Sequence, residues 1–339
     1  MKTVNVITIY DLGNYGNRLQ NYALTITLQK MNYKVYNLVK RNKEHKKTDL
    51  RILFLPVLKG DRKKKALRDK LFYNFAHLKL KKYYTNGFVI CGSDQIWHPN
   101  WHGTPFMFLA FAPKNKRIAY SASFGVSTLP EDKKKEYAQF LSEMKAISVR
   151  EESGAKIVKD LIGKDVPVLI DPTLMLEKAD WQKISKKPDF PVPEKYLLTY
   201  YLGEVSQERN QYMKKVASEK GLGIIRLENH NTGEAWWKTG PSEFLWLIEH
   251  CSLMCTDSFH GSVFSILMEV PFLVFNREDS MGDMSSRIDT LLSKFKLENR
   301  KFNNQQGADV FEKDYRHVQE ILMIERKKAL DYLKEALER

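Results

Sequence analysis

Val4-Asn5-Val6-Ile7-Thr8-Ile9, then Asp11-Leu12-Gly13-Asn14-Tyr15-Gly16-Asn17-Arg18, then Leu19, Ala23, Leu24 and Leu28 at helical spacing, form the opening that decides the fold. The apolar run has strand length, and the last four residues recur with a helical period. Between them, two glycines and two asparagines permit positive φ and a close approach of backbone to a ligand. The Gly-x-Gly-x-x-Gly spacing of a dinucleotide fingerprint is absent. A tight turn and a ligand-lining loop both fit, with Asn14 and Asn17 as the side chains to watch.

The alternation continues. Strand-like runs occur at 34–39, 87–91, 117–122, 146–149 and 166–170, with amphipathic segments at 131–145 and 151–162. Such a rhythm argues for a parallel sheet with crossover helices. A stretch rich in Lys and Pro follows the strand that ends at Asp171-Pro172, and the rhythm then restarts at Tyr196-Leu197-Leu198-Thr199-Tyr200-Tyr201. Further strand runs lie at 223–228, 252–256 and 272–275, and residues 309–338 have helical periodicity. The expectation is an α/β protein of two Rossmann-like doubly wound domains facing a cleft: 1–176, a linker at 177–195, 196–308, and a 309–339 helix crossing back. In open sheets of this kind ligands bind beyond the carboxyl ends of the strands.

Three strand ends carry the candidate chemistry. The opening turn is the first. At the second, Ile90-Cys91 runs into Gly92-Ser93-Asp94-Gln95-Ile96-Trp97, where Ser93 and Asp94 suit sugar hydroxyls and Trp97 suits a stacking platform. Capping chemistry is the plainer alternative there. At the third, Leu253-Met254-Cys255 delivers Thr256-Asp257-Ser258-Phe259-His260-Gly261-Ser262. His260 falls in the first turn of a helix, where free N–H groups favour an anion, and Ser258 and Ser262 give it hydroxyl neighbours. It is the candidate general acid/base. Arg150 closes the 146–149 strand and Arg287 opens a helix; both guanidinium groups suit phosphate or carboxylate, or an ordinary ion pair. His98 and His102 are interrupted by Pro99 and lack a third ligand, so no metal is expected.

Composition narrows the class. Of the 339 residues 43% are apolar and 28% charged, as in a globular protein. No apolar run reaches the roughly 18 residues of a membrane span. Met1-Lys2-Thr3 leads straight into the first strand, without the pattern of a secretory leader. Three cysteines, Cys91, Cys251 and Cys255, show no framework spacing, as expected of buried thiols in a reducing compartment. The net charge of +14 is concentrated: residues 40–82 hold 16 Lys/Arg against 4 Asp/Glu, leaving +2 for everything else. A local excess of this kind argues against nucleic acid. It reads either as a solvated lysine-rich excursion or as a patch for an anionic membrane surface.

Taken together the segments resemble the polysaccharide pyruvyl transferase family. The resemblance runs through Gly13-Asn14-Tyr15-Gly16-Asn17 with Leu19-Gln20, Gly92-Ser93-Asp94-Gln95-Ile96-Trp97 and Tyr120-Ser121-Ala122-Ser123-Phe124-Gly125. It continues through Val149-Arg150-Glu151, Asp171-Pro172-Thr173 and Asp257-Ser258-Phe259-His260-Gly261. It implies a GT-B-like pair of domains and transfer of a pyruvyl group from phosphoenolpyruvate to a sugar diol, giving a ketal, with no cofactor. It also implies a sugar or lipid-linked saccharide acceptor; the composition adds the expectation of work in the cytoplasm, at the inner membrane face if 40–82 docks there. Several members have an arginine two residues before the motif histidine, where this chain has Ser258. Arg150, Arg287 or a lysine must then supply that charge. The alternatives are a GT-B glycosyltransferase using a nucleotide sugar, or a non-catalytic docking subunit of polysaccharide assembly.

Overall fold

The computed structural model describes residues 1–9, 14–38, 80–81, 84, 86–227, 235, 238–277, 285–304 and 309–338. Asp11-Leu12-Gly13 and nearly all of the basic segment 40–82 lie outside the described residues.

The first sheet is built from β1 (Thr3–Ile7), β2 (Lys34–Leu38), β3 (Leu80–Lys81), β4 (Phe88–Gly92), β5 (Arg117–Ala122) and β6 (Ala146–Val149). Every pairing is parallel, and the order is β3-β2-β1-β4-β5-β6. β1 is buried along four of its five residues, as a central parallel strand must be. Its one amide, Asn5, donates from Nδ2 to the Phe88 carbonyl at 3.2 Å. Helices α1 (Tyr15–Lys30), α2 (Glu131–Ser142) and α3 (Glu152–Ile162) cover the faces. The strand order reverses between β1 and β4, so their carboxyl ends frame a crevice.

The chain then passes through α4 (Lys178–Gln182), a short helix inside the stretch read as a linker, to the second sheet. This consists of β7 (Tyr196–Tyr200), β8 (Gly223–Arg226), β9 (Leu253–Thr256) and β10 (Phe272–Val274), also all parallel, in the order β10-β9-β7-β8. Helices α5 (Gln207–Glu219), α6 (Pro241–His250) and α7 (Phe259–Met268) connect them, followed by α8 (Ser285–Phe295) and α9 (Arg316–Glu338). Here the order reverses between β7 and β9. Two Rossmann-like units therefore face one another, in the GT-B-like arrangement anticipated from the sequence.

The run at 166–170 is not a full strand. It makes a single parallel bridge, Val168 to Val149, with Leu169 N donating to Val149 O at 2.9 Å. Pro167 brings no N–H to extend the ladder.

One apolar core spans both units, because α1 is buried on nearly every side. Tyr15 stacks on Phe244 at 4.7 Å and donates from its hydroxyl to Thr239 O at 3.3 Å. Tyr22 packs on Trp181. The last helix bonds to both units in turn. His317 Nε2 lies 2.9 Å from Phe295 O, Arg326 donates to Leu174 O and Leu176 O at 2.8 Å, and Tyr332 donates to Ala119 O at 2.7 Å. Lys145 donates to Ala336 O. Among the described residues no helix is long and apolar enough to cross a membrane.

Candidate functional site

The two reversal points bring their strand ends together. After β4 the chain turns through Ser93 and Asp94 at φ 48° and 35°, a left-handed pair that side chains seldom adopt. Such strain persists only where surrounding contacts hold it in place. Arg150 follows β6 directly. Asp171 follows the 168 bridge, where its Oδ1 accepts from Thr173 N and Oγ1 at 2.9 and 2.6 Å. From the second unit come Phe259 and His260, which open α7. Arg287 lies in the first turn of α8, whose start meets that of α3 through Ser286 and Ser153 at 3.3 Å.

These side chains form one buried polar cluster. Asp171 Oδ2 takes a short hydrogen bond from Ser93 Oγ and another from Arg150 Nη1 at 2.9 Å. It lies 3.6 Å from His260 Nε2, ion-pair range and longer than a hydrogen bond. Arg150 Nη1 also donates to Ser93 Oγ at 3.2 Å. Asp94 Oδ1 stands between Arg150 Nη2 at 3.5 Å and Arg287 Nη1 at 3.7 Å. The Arg150 guanidinium lies 4.1 Å from the centre of the Phe259 ring, a cation–π distance. Glu151 turns its Oε1 to Ser123 Oγ, Phe124 N and Gly125 N, fixing the adjoining loop.

Burial sets the electrostatics. Alone it would push Asp171 up, but His260, Arg150 and Ser93 outweigh it and hold the carboxyl well below the usual range. Burial also works against the charge of Arg150, yet Asp171, Asp94 and Glu151 raise its pKa. Arg287 is lowered to about 10 by burial and by the Arg150 guanidinium, so it remains a cation at neutral pH. Arg150 Nε and Nη2 and Arg287 Nε are buried without a hydrogen-bond acceptor in the protein. Unsatisfied charged donors of this kind are costly, and anionic oxygens would satisfy them. The space beside them, lined by Arg150, Asp171, Phe259 and Arg287, is about 10 Å³, close to one water's volume. The groups are in contact with one another, not spread round an open bowl. A cavity of about 390 Å³ lies elsewhere, between α9 and the start of β6, and no member of the cluster lines it.

The starts of α1 and α7 meet at His260. A Cβ on Gly16 would collide with Nδ1 and Cγ of the imidazole, so only glycine lets the ring lie against α1. Gly16→Ala is therefore expected to displace the ring and to lower turnover about 10²-fold, the scale of a 1 Å misplacement. Steady-state kinetics on a folded variant would measure this, and unchanged turnover would show that the contact is incidental.

Of the residues singled out in the sequence, Ser93, Asp94, Arg150, His260 and Arg287 converge here. Asn14 caps α1, accepting from Asn17 N at 3.4 Å, while Asn17 keeps a buried Oδ1 without a partner. Ser258 caps α7 through Gly261 N, and Ser262 donates to Ser258 O at 3.2 Å, so both hydroxyls are engaged within the helix. Trp97 must be corrected. It is fully buried, stacked on Phe108 at 5.0 Å and packed on Phe124, and it offers no face to a ligand. The central omission was Asp171, whose signal was an apolar run stopped by a carboxylate before Pro172. Among the described residues no three His, Cys, Asp or Glu are placed to hold a metal.

Residues 14–280 match the family model described as polysaccharide pyruvyl transferase. No curated protein matches the chain. Among solved structures, the chain is similar to a glycosyltransferase from Rickettsia africae, at 9% identity and TM-score 0.48, covering 100% of this chain and 99% of that one. It is also similar to Arabidopsis thaliana UGT89C1 complexed with UDP-L-rhamnose, at 13% identity and TM-score 0.48, covering 98% and 95%.

Proposed function

This chain belongs to the polysaccharide pyruvyl transferase family, and from that premise we propose that it moves a pyruvyl group from phosphoenolpyruvate to a sugar diol. The observation that supports this reading most is the pair of buried guanidinium groups, each with a side-chain N–H that lacks a hydrogen-bond acceptor, in the cluster that also holds His260. Phosphoenolpyruvate carries a carboxylate and a phosphate, the two groups such donors suit. His260 gives a proton to the methylene carbon, leaving a cationic centre at C2. One sugar hydroxyl adds to C2 and returns its proton to His260. The C2–O bond to phosphate breaks, the second hydroxyl closes the ketal, and its proton leaves with the phosphate. Arg150 and Arg287 hold the two anionic groups, and the starts of α1 and α7 favour negative charge between them. The acceptor is a polysaccharide precursor, lipid-linked or free. The +12 segment 40–82 supports work in the cytoplasm against an anionic inner leaflet.

The test is incubation with phosphoenolpyruvate and saccharide acceptors, reading phosphate release and ketal formation. Arg150→Ala and Arg287→Ala are each expected to raise the apparent constant for phosphoenolpyruvate about 10- to 150-fold, the worth of a charge-assisted contact. The acceptor constant should move less, and lysine should rescue only in part, because an ammonium lacks the bidentate fork. Normal donor binding in both variants, or turnover with a nucleotide sugar instead, would overturn the donor assignment.

A further inference from the structure

On the reading of a sugar-diol acceptor given above, we propose that Gln20 contacts the acceptor's hydroxyls. Gln20 is fully buried in α1, and neither its Oε1 nor its Nε2 has a hydrogen-bond partner in the protein. A buried amide with both atoms unmatched is rare in a native interior. At the next residue the amide is matched on one side: Asn21 donates from Nδ2 to Thr8 Oγ1 and to Asn37 Oδ1, each at 2.8 Å, and only its Oδ1 lacks a partner.

Position gives the orphaned amide its meaning. Residues 16 and 20 are four apart and share one stripe of the helix. Helical side chains lean toward the helix start, so Gln20 covers the turn that contains Gly16. That turn is where the His260 ring lies against α1. Asn17, on the same first turns, adds its own unpartnered Oδ1.

Chemistry separates this group from the cluster of charged side chains. A primary amide is neutral and offers both donors and acceptors side by side. A diol is its complement, since each hydroxyl both donates and accepts. The arginines take the charged donor; Gln20 with Asn17 takes the uncharged acceptor. Since these atoms are buried, the acceptor reaches them only when the starts of α1 and α7 part.

Gln20→Met keeps the length of the side chain and removes both polar atoms. Its thermal midpoint should be unchanged or raised, because unpartnered polar atoms leave the interior. Methyl β-D-galactopyranoside, methyl α-D-mannopyranoside and methyl β-D-glucopyranoside serve as acceptor probes, with binding followed by saturation-transfer NMR. At least one should bind the unmodified protein, and its affinity should fall about 10- to 100-fold in the variant, the worth of one or two hydrogen bonds. Phosphoenolpyruvate binding, measured by calorimetry, should be the same in both proteins. A midpoint lowered by several degrees would make Gln20 structural and overturn the proposal. So would equal glycoside binding in the two proteins, or none in the unmodified one. If glycoside binding splits as expected while phosphoenolpyruvate binds neither protein, the donor assignment fails and Gln20 keeps its role.

Discussion

Replacing His260 by glutamine is expected to lower turnover by about 10²–10⁴-fold, the range associated with a general acid/base. Glutamine fills much of the same space against Gly16 and Phe259, so the packing survives better than with alanine. What it cannot do is deliver a proton to carbon and take one back from a hydroxyl. The loss should fall mainly on kcat, with the phosphoenolpyruvate constant changed less, because Arg150 and Arg287 remain in place. Rapid-quench measurement of phosphate release, beside a thermal melt, would separate chemistry from folding. Activity within about tenfold of the unmodified protein would remove His260 from the acid/base role, since so small a loss is below what proton transfer contributes.

The second large effect belongs to stability. Asp171→Asn keeps an oxygen for Thr173 N and Oγ1 but removes the charge opposite Arg150. Breaking a buried ion pair from one side leaves the other charge uncompensated, at about 3–5 kcal/mol. Asp94 at 3.5 Å and Glu151 at 3.9 Å remain near Arg150, which places the expected loss at the lower end. The pH dependence follows from the direction of the shift. A carboxyl held below its ordinary range contributes its full stabilisation above about pH 4. It gives that contribution up as the pH falls toward the depressed folded value. The variant should therefore lose stability at neutral pH and show a shallower further loss below pH 4. Urea unfolding at several pH values would measure both, and a change under about 1 kcal/mol at neutral pH would mean that Arg150 does not depend on Asp171.

Much of the fold was legible because its signals are local. The apolar strand runs, the glycine-rich first turn and the restart at Tyr196 all lie within single windows of sequence. Arg150 and His260 were legible for the same reason, since each sits where a strand ends and a helix begins. Trp97 was misread because the same logic was carried one turn too far. The left-handed pair Ser93-Asp94 reverses the chain, and Trp97 N donates to Ser123 O at 3.0 Å while the ring turns back into the core. No spacing rule announces such a reversal in residues that are not glycine. Asp171 was quoted in the Asp171-Pro172-Thr173 segment but given no role, because its partners are remote: Ser93 is 78 residues away and Arg150 21. Glu151 was quoted only as part of a segment, and its three acceptor contacts come from residues 26 to 28 positions away.

The last helix has a mechanical consequence. At 23 residues α9 is a bar about 35 Å long. Its first turns are tied to Phe295, its middle to Leu174 and Leu176, and its end to Ala119 and Lys145. A rod pinned at three stations forbids the two sheets from sliding past or drawing straight apart while those ties hold. Rotation about the rod would leave these three ties in place, but it would have to part the apolar core that α1 shares between the two units.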